Sequence, residues 1–214
     1  MPVWQRIYEE INDPDFVLIC AAEDTGGEAV AGPIFDAAKP TFIQVVDADH
    51  IISSAFNFVN VPSAAWVDEE GRIVRIDEGT YAKTHEFGDG EQAISFGTDV
   101  YSPAVKDWIA KGADSGYVQS AATVTGNIRE HSFDQLKADA AFRLANLFRA
   151  HGQKAKAEQY WDMAQSLNPD SINFVRQNLT LTEEGSAGET FMKLMGEYVS
   201  QGKDYYRPLD IEKP

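Results

Sequence analysis

The sequence predicts an α/β fold followed by a helical hairpin, on three observations. A continuous apolar run from Phe16 to Ala22 has the composition of a strand covered on both faces in a parallel sheet. Two further apolar runs, Ala64 to Val67 and Arg72 to Ile76, flank an acidic turn whose Gly71 can take the positive φ of a short hairpin loop. Downstream, Ala138 to Ser171 places small and aromatic residues at helical spacing on either side of Gly152 and closes at Pro169.

The first module is read in chain order. Val3, Trp4, Ile7, Tyr8 and Ile11 recur at three- and four-residue spacing, which predicts a helix over Pro2 to Ile11; Pro2 is tolerated in its first turn and Asn12-Asp13-Pro14 stops it. Cys20 lies inside the strand that follows and reads as a small buried filler. It is the only thiol candidate, but a reactive thiolate needs exposure and a positive neighbour, whereas the next charges are Glu23 and Asp24. Glu28 to Ala38 predicts a helix interrupted near Gly32-Pro33, and Phe42 to Val46 a strand. Asp49 is positioned to cap a helix from His50 to Phe56. Pro62 cannot donate to a ladder and belongs at the start of the first hairpin strand, where a cis X-Pro bond is tolerated. Residues 77–102 read as irregular, with one short strand near Ala93 to Phe96. His85 and Glu86 are adjacent and so point different ways, which makes them a poor metal pair. A helix from Ser102 or Pro103 to Lys111 carries Val105, Trp108 and Ile109 on one face.

The second module opens with Ser132-Phe133-Asp134-Gln135, which has the form of a capping box. Ala141, Leu144, Ala145 and Phe148 take the packing positions of a first helix, and Ala157, Trp161 and Ala164 those of a second. This stretch of about 34 residues resembles a tetratricopeptide repeat, with Ala141 and Ala145 standing where Trp and Gly are usual. A lone repeat needs neighbours to bury its apolar face, so it is expected to dock on the first module, on the tail or on another subunit. Further helices are predicted over Ser171 to Leu179 and Ala187 to Val199, the latter with Phe191, Leu194, Met195 and Tyr198 on one face. The stretch Asp204 to Leu209, with Tyr205 and Tyr206, is extended and aromatic, suited to lying over a surface groove.

Composition narrows the functions. A chain of 214 residues with 43% hydrophobic and 24% charged content suits a globular protein of one or two domains. Its formal net charge of −16, from 34 acidic and 18 basic residues, argues against nucleic acid and anionic membranes as partners. No apolar run is long enough for a membrane span and no signal-peptide pattern opens the chain, so a cytoplasmic location is expected unless a targeting signal lies upstream. One cysteine excludes an internal disulfide and a cysteine metal cluster. With no phosphate-cradling glycine loop and no ligand cluster at helical spacing, neither metal nor cofactor is expected.

The stretch Val59-Asn60-Val61-Pro62-Ser63-Ala64-Ala65-Trp66-Val67-Asp68-Glu69-Glu70-Gly71-Arg72-Ile73-Val74-Arg75 resembles the cis-proline loop and terminal hairpin of thioredoxin-fold proteins, nearest to the TlpA/ResA-like thiol-disulfide oxidoreductases. The resemblance covers about the first half of the chain. It implies that Val61 and Pro62 line a substrate groove. The family's Cys-x-x-Cys is absent; Met1-Pro2-Val3-Trp4 resembles the step after its second cysteine, so by the resemblance the place of the motif and of the first core strand would be upstream of Met1, either lost from this protein or encoded ahead of that methionine. By the resemblance that strand is central, between the Phe16 to Ala22 and Ala64 to Val67 strands. Without it two inner edges lie open, each buried unpaired backbone group costing about 1 to 3 kcal/mol. Either the segment near Ala93 to Phe96 or a strand of a second subunit is expected to fill the gap, and self-association follows from the second.

The resulting division is a thioredoxin-like domain over 1–115, a linker over 116–131, the tetratricopeptide-like hairpin over 132–180 and a terminal helix and tail over 181–214. No residue is assigned a catalytic role. The expected function is a redox-inactive module that binds a protein partner or client. The alternative is a thiol-disulfide oxidoreductase whose Cys-x-x-Cys lies upstream. A peroxidase is weaker, since Cys20 sits in the wrong element.

Overall fold

The computed structural model describes residues 2–87, 94–179, 189–203 and 205–211. The first half runs α1 (Pro2–Ile11), β1 (Ile19–Ala22), α2 (Glu28–Ala38), β2 (Ile43–Val46), α3 (Ile51–Phe56), β3 (Ser63–Val67) and β4 (Ile73–Glu78). Then come β5 (His85–Phe87), β6 (Ile94–Phe96) and α4 (Tyr101–Lys111). Helices dominate the remainder: α5 (Ala121–Asn127), α6 (Phe133–Ala150), α7 (Lys154–Leu167), α8 (Ile172–Leu179) and α9 (Glu189–Ser200). The fold is mixed α/β with small sheets and a helical C-terminal part. None of the described helices is long and apolar enough to cross a membrane.

The strands form three separate two-stranded ladders among the described residues. β1 and β2 are parallel, with Ile19 opposite Ile43 and Ala22 opposite Val46, and α2 is the crossover between them. β3 and β4 form the antiparallel hairpin, with Gly71 at φ 78° in its turn. β6 pairs antiparallel with β5, so it does not fill a place between β1 and β3; Ala93 lies outside the described residues. Several element bounds differ from expectation. The strand expected from Phe16 is ordered as a strand only from Ile19, and α2 continues through Pro33, which forfeits one helical donor without breaking the helix. Asp47, not Asp49, caps α3: its two carboxylate oxygens accept from the amides of Ile51 (2.9 Å) and Ile52 (2.7 Å).

Helix α1 joins the two ladders. Its Trp4 meets the ring of Tyr101 edge-on at 6.0 Å and packs on the cluster of Trp66, Ala104 and Val105. From its other flank Tyr8 meets Phe42, and Gln5 exchanges two hydrogen bonds with Thr41 ahead of β2. Beside Trp66 lies a buried polar network. Arg75 Nε donates to Asp77 at 2.6 Å, Tyr101 donates to the same carboxylate, and Trp66 Nε1 donates to the Tyr101 hydroxyl. Arg75 also donates to the carbonyls of Tyr117 and Asp210, so every side of the buried guanidinium has an acceptor. Burial pushes the Asp77 carboxyl up, against the pull of Arg75 and Tyr101.

The stretch 116–131, read as a linker, holds α5 and is packed. Gln119 extends the outer edge of β4 by donating to the carbonyl of Val74, and Arg129 forks onto Glu78 with two bonds of 2.7 Å. Beyond it the Ser132–Gln135 capping box forms with both reciprocal bonds. Ala138, Ala141, Phe142 and Ala145 face inward from α6, against Ala157 and Ala164 of α7 and Phe174 of α8. The small residues allow close approach, as expected, but Phe142 holds the inward place assigned to Leu144, which is exposed.

Candidate functional site

Two features converge where the halves of the chain meet. The first is the loop ahead of β3. The Val61–Pro62 peptide is cis, both residues are half-buried, and the carbonyl of Pro62 accepts from the amides of Gly79 (2.8 Å) and Thr80 (3.2 Å). The C-terminal segment lies over this loop. Tyr206 donates its hydroxyl to the Val61 carbonyl at 2.8 Å, and Asn60 donates to the carbonyl of Tyr205. Gly79, at φ 66°, is where the Tyr206 ring rests: a Cβ there would stand 3.1 Å from it. Arg207 donates to the carbonyl of Asn127 and Glu78 accepts from its amide, which pins the segment beside β4.

The second feature is a polar cavity of about 160 Å³, lined among others by His50, Asn60, His131, Asp139, Phe142 and Tyr205. That volume is room for about five water molecules. On one wall His50 sits at the start of α3 in a left-handed conformation, its ring edge-on to Phe142 at 5.0 Å. Its Nδ1 stands 3.7 Å from Glu23 Oε1, and both side chains are buried. Burial raises the Glu23 carboxyl to about 7, Ser53 opposing and the Asp47 charge adding to it. The same burial lowers His50, against the pull of Asp47, Asp24 and Asp49. Among the described residues His50 Nε2 and Glu23 Oε1 have no hydrogen-bond partner. Across the cavity His131 Nδ1 lies 3.3 Å from Asp139, whose carboxyl burial also raises. The arrangement is a buried acid beside a neutral imidazole, able to hold or release a proton near neutral pH.

The residues singled out from sequence do not gather at one place. Val61 and Pro62 lie beneath Tyr206 and line neither this cavity nor the second one, of about 150 Å³, which opens between β4 and Arg207. Cys20 is half-buried in the middle of β1, opposite Gln44, and burial pushes its thiol up. His85 is exposed, with the ring of Tyr81 edge-on to its imidazole. Among the described residues no group of three or more His, Cys, Asp or Glu is placed to hold a metal ion. No protein-family model, curated protein or solved structure matches this chain.

Glu23, His50, His131 and Asp139 escaped the sequence reading because they come from four different segments. Only Asp47-x-x-His50 after a strand, a capping carboxylate next to a histidine that starts a helix, hints at a buried imidazole.

Proposed function

We propose that the chain is a redoxin-like protein module that binds an extended polypeptide along the edge of β1 that no described strand pairs, without redox chemistry of its own. The observation that carries this is the edge itself. The carbonyls of Leu18 and Ala22 accept from the amides of Ile43 and Asp47, so by the alternation of a ladder the peptide groups of Ile19 and Ala21 face away from β2. No strand pairs with that side among the described residues. Ile19, Ile43 and Val45 expose their side chains beside it, the composition of a strand-accepting surface. Beyond the end of β1 the buried Gln177 of α8 donates to the Glu23 carbonyl (3.1 Å) and accepts from the Thr25 amide (3.0 Å), so the edge offered to a partner ends at Ala22.

The thioredoxin-like reading of the fold rests on the order of elements. A parallel pair with a helical crossover, a cis-proline loop and an antiparallel hairpin follow one another in the order that the resemblance calls for. The two ladders are separate here; one strand added between β1 and β3 would join them. The cis-proline loop is covered by Tyr206, which leaves the outer edge of β1, unpaired among the described residues, as the strand-accepting surface of the first half.

The test uses reduced, carboxymethylated α-lactalbumin, a permanently unfolded chain, as the probe in fluorescence anisotropy. Binding is expected, and Ala21→Pro should abolish it, since proline removes the outward donor while leaving the bonds between β1 and β2 intact. Equal binding by Ala21→Pro, with an unchanged far-ultraviolet spectrum, would overturn the proposal. Neither insulin reduction nor peroxide turnover is expected from the purified chain, because a half-buried Cys20 with a raised pKa and no second cysteine cannot cycle. A second reading, a thiol-disulfide oxidoreductase, is favoured by the same open edge, which an apolar strand ending in Cys-x-x-Cys ahead of Pro2 would fill. An in-frame coding stretch of that form upstream of Met1 would decide for it.

A further inference from the structure

The outer face of α6 is not the face of an ordinary surface helix. Its inner residues, Ala138, Ala141, Phe142 and Ala145, are buried against α7 and α8. On the other side Phe133 is 73% exposed, Leu136 52%, Leu144 37% and Leu147 49%, and Ala140 is exposed among them. The separations are three, four, four and three residues, which line these side chains up as one stripe along an 18-residue helix. At 1.5 Å per residue the stripe, from Phe133 to Leu147, is about 21 Å long. Single exposed apolar residues are ordinary; a contiguous row of them on the longest helix is the mark of an interaction surface.

Charge selects the partner. Lys137 and Arg143 are exposed beside the stripe; the Lys137 ammonium stands 4.4 Å from the centre of the Phe133 ring and 3.6 Å from Asp134, a solvent-exposed pair that a partner's carboxylate can share or replace. From Arg129 to Lys156 the chain carries six basic and three acidic residues, in a protein of net charge −16. A second copy of the chain is a poor occupant. Antiparallel pairing of two α6 helices about Ala140 puts both copies of Lys137 on one flank of the stripe and both copies of Arg143 on the other, and parallel pairing puts Lys137 and Arg143 on the same flank, so like charges share a flank either way.

We propose that this face docks an acidic amphipathic helix of a partner protein, its apolar residues on the Phe133–Leu147 stripe and its carboxylates against Lys137 and Arg143. The site is independent of the β1 edge. The probe is a fluorescein-labelled synthetic helix as long as α6, with Leu at three- and four-residue spacing flanked by Glu, and a twin carrying Lys at the Glu positions. Anisotropy titrations at low salt should show the Glu peptide binding and the Lys twin binding more weakly by on the order of tenfold. Leu136→Glu with Leu144→Glu should abolish binding of the Glu peptide. The pair Lys137→Glu and Arg143→Glu should invert the preference in favour of the Lys twin. All four positions are exposed, and an unchanged far-ultraviolet spectrum and melting temperature establish that the variants fold. Equal affinity for both peptides, or binding that survives Leu136→Glu and Leu144→Glu, would overturn the proposal. So would sedimentation showing a dimer that Leu144→Glu dissociates, which would assign the face to a second copy.

Discussion

The two main strand pairs of this chain are nearly equal in length and are held in opposite ways. β3–β4 is built into the interior: Trp66, Arg75, Ile76 and Asp77 are buried, α4 packs on Trp66, and Gln119 covers the outer edge. In β1–β2 no residue is fully buried, and Ile19, Ile43 and Val45 face solvent. Apolar composition alone therefore does not place a strand in a core. What differs is the supply of partners: β3–β4 receives aromatic and polar partners from α1, α4 and the C-terminal segment, whereas β1–β2 has α2 and part of α1.

The sharpest way to break this contrast is Asp77→Ala. It leaves Arg75 buried without its carboxylate, so a loss of about 3 to 5 kcal/mol is expected in urea unfolding. A loss below about 1 kcal/mol would show that the network does not hold the hairpin.

Next is the acid at the other pair, Glu23. Its folded pKa of about 7 lies above the unfolded one of 4.5, so the folded chain keeps this proton while the unfolded chain releases it, and stability falls as pH rises through that window. Glu23→Gln should thus be neutral near pH 4.5 and more stable than the parent by about 3 kcal/mol above pH 7. His50 runs the other way: with its pKa lowered, stability is lost as pH falls below the ordinary 6.5. In Glu23→Gln the midpoint of unfolding should accordingly rise from pH 5 to pH 7 more steeply than in the parent. An unchanged pH profile would show that Glu23 ionises normally.

Tyr101→Phe removes the hydroxyl shared by Trp66 and Asp77 and should cost about 1 to 3 kcal/mol in the same unfolding assay. The smallest effects give the cleanest comparison. Ile76→Val in β4 should cost about 0.5 to 1.5 kcal/mol, and Ile43→Val in β2 less than about 0.5 kcal/mol. Equal costs would mean that the two pairs are packed alike.

Most elements of the first half were legible from apolar runs and turn residues, because those signals are local: the Gly71 turn, the Asn12-Asp13-Pro14 stop and the Ser132 capping box all appear where the sequence puts them. Local signals failed where tertiary partners decided. Arg75 and Asp77 look like solvent-facing charges on a hairpin strand, and only Tyr117, Tyr101 and Asp210, distant in sequence, make their burial tolerable. Leu144 looks like a core residue and is exposed, because rotation of α6 is set by Phe142 stacking on Phe174. The cavity was illegible for the same reason: His50 and His131 line one cavity because His50, at the start of α3, packs on Phe142 of α6.

The strap formed by Leu209, Asp210 and Ile211 has a consequence for biosynthesis. These residues complete the cluster around Trp66 and the acceptors around Arg75, yet Asp210 lies 135 residues beyond Arg75. At roughly 5 to 20 residues per second, the nascent hairpin waits on the order of 10 to 30 s on the ribosome before its last partners are made. During that interval Trp66 and Tyr101 lack the cover of Ile211, an opening for chaperones that closes only when translation has passed that residue.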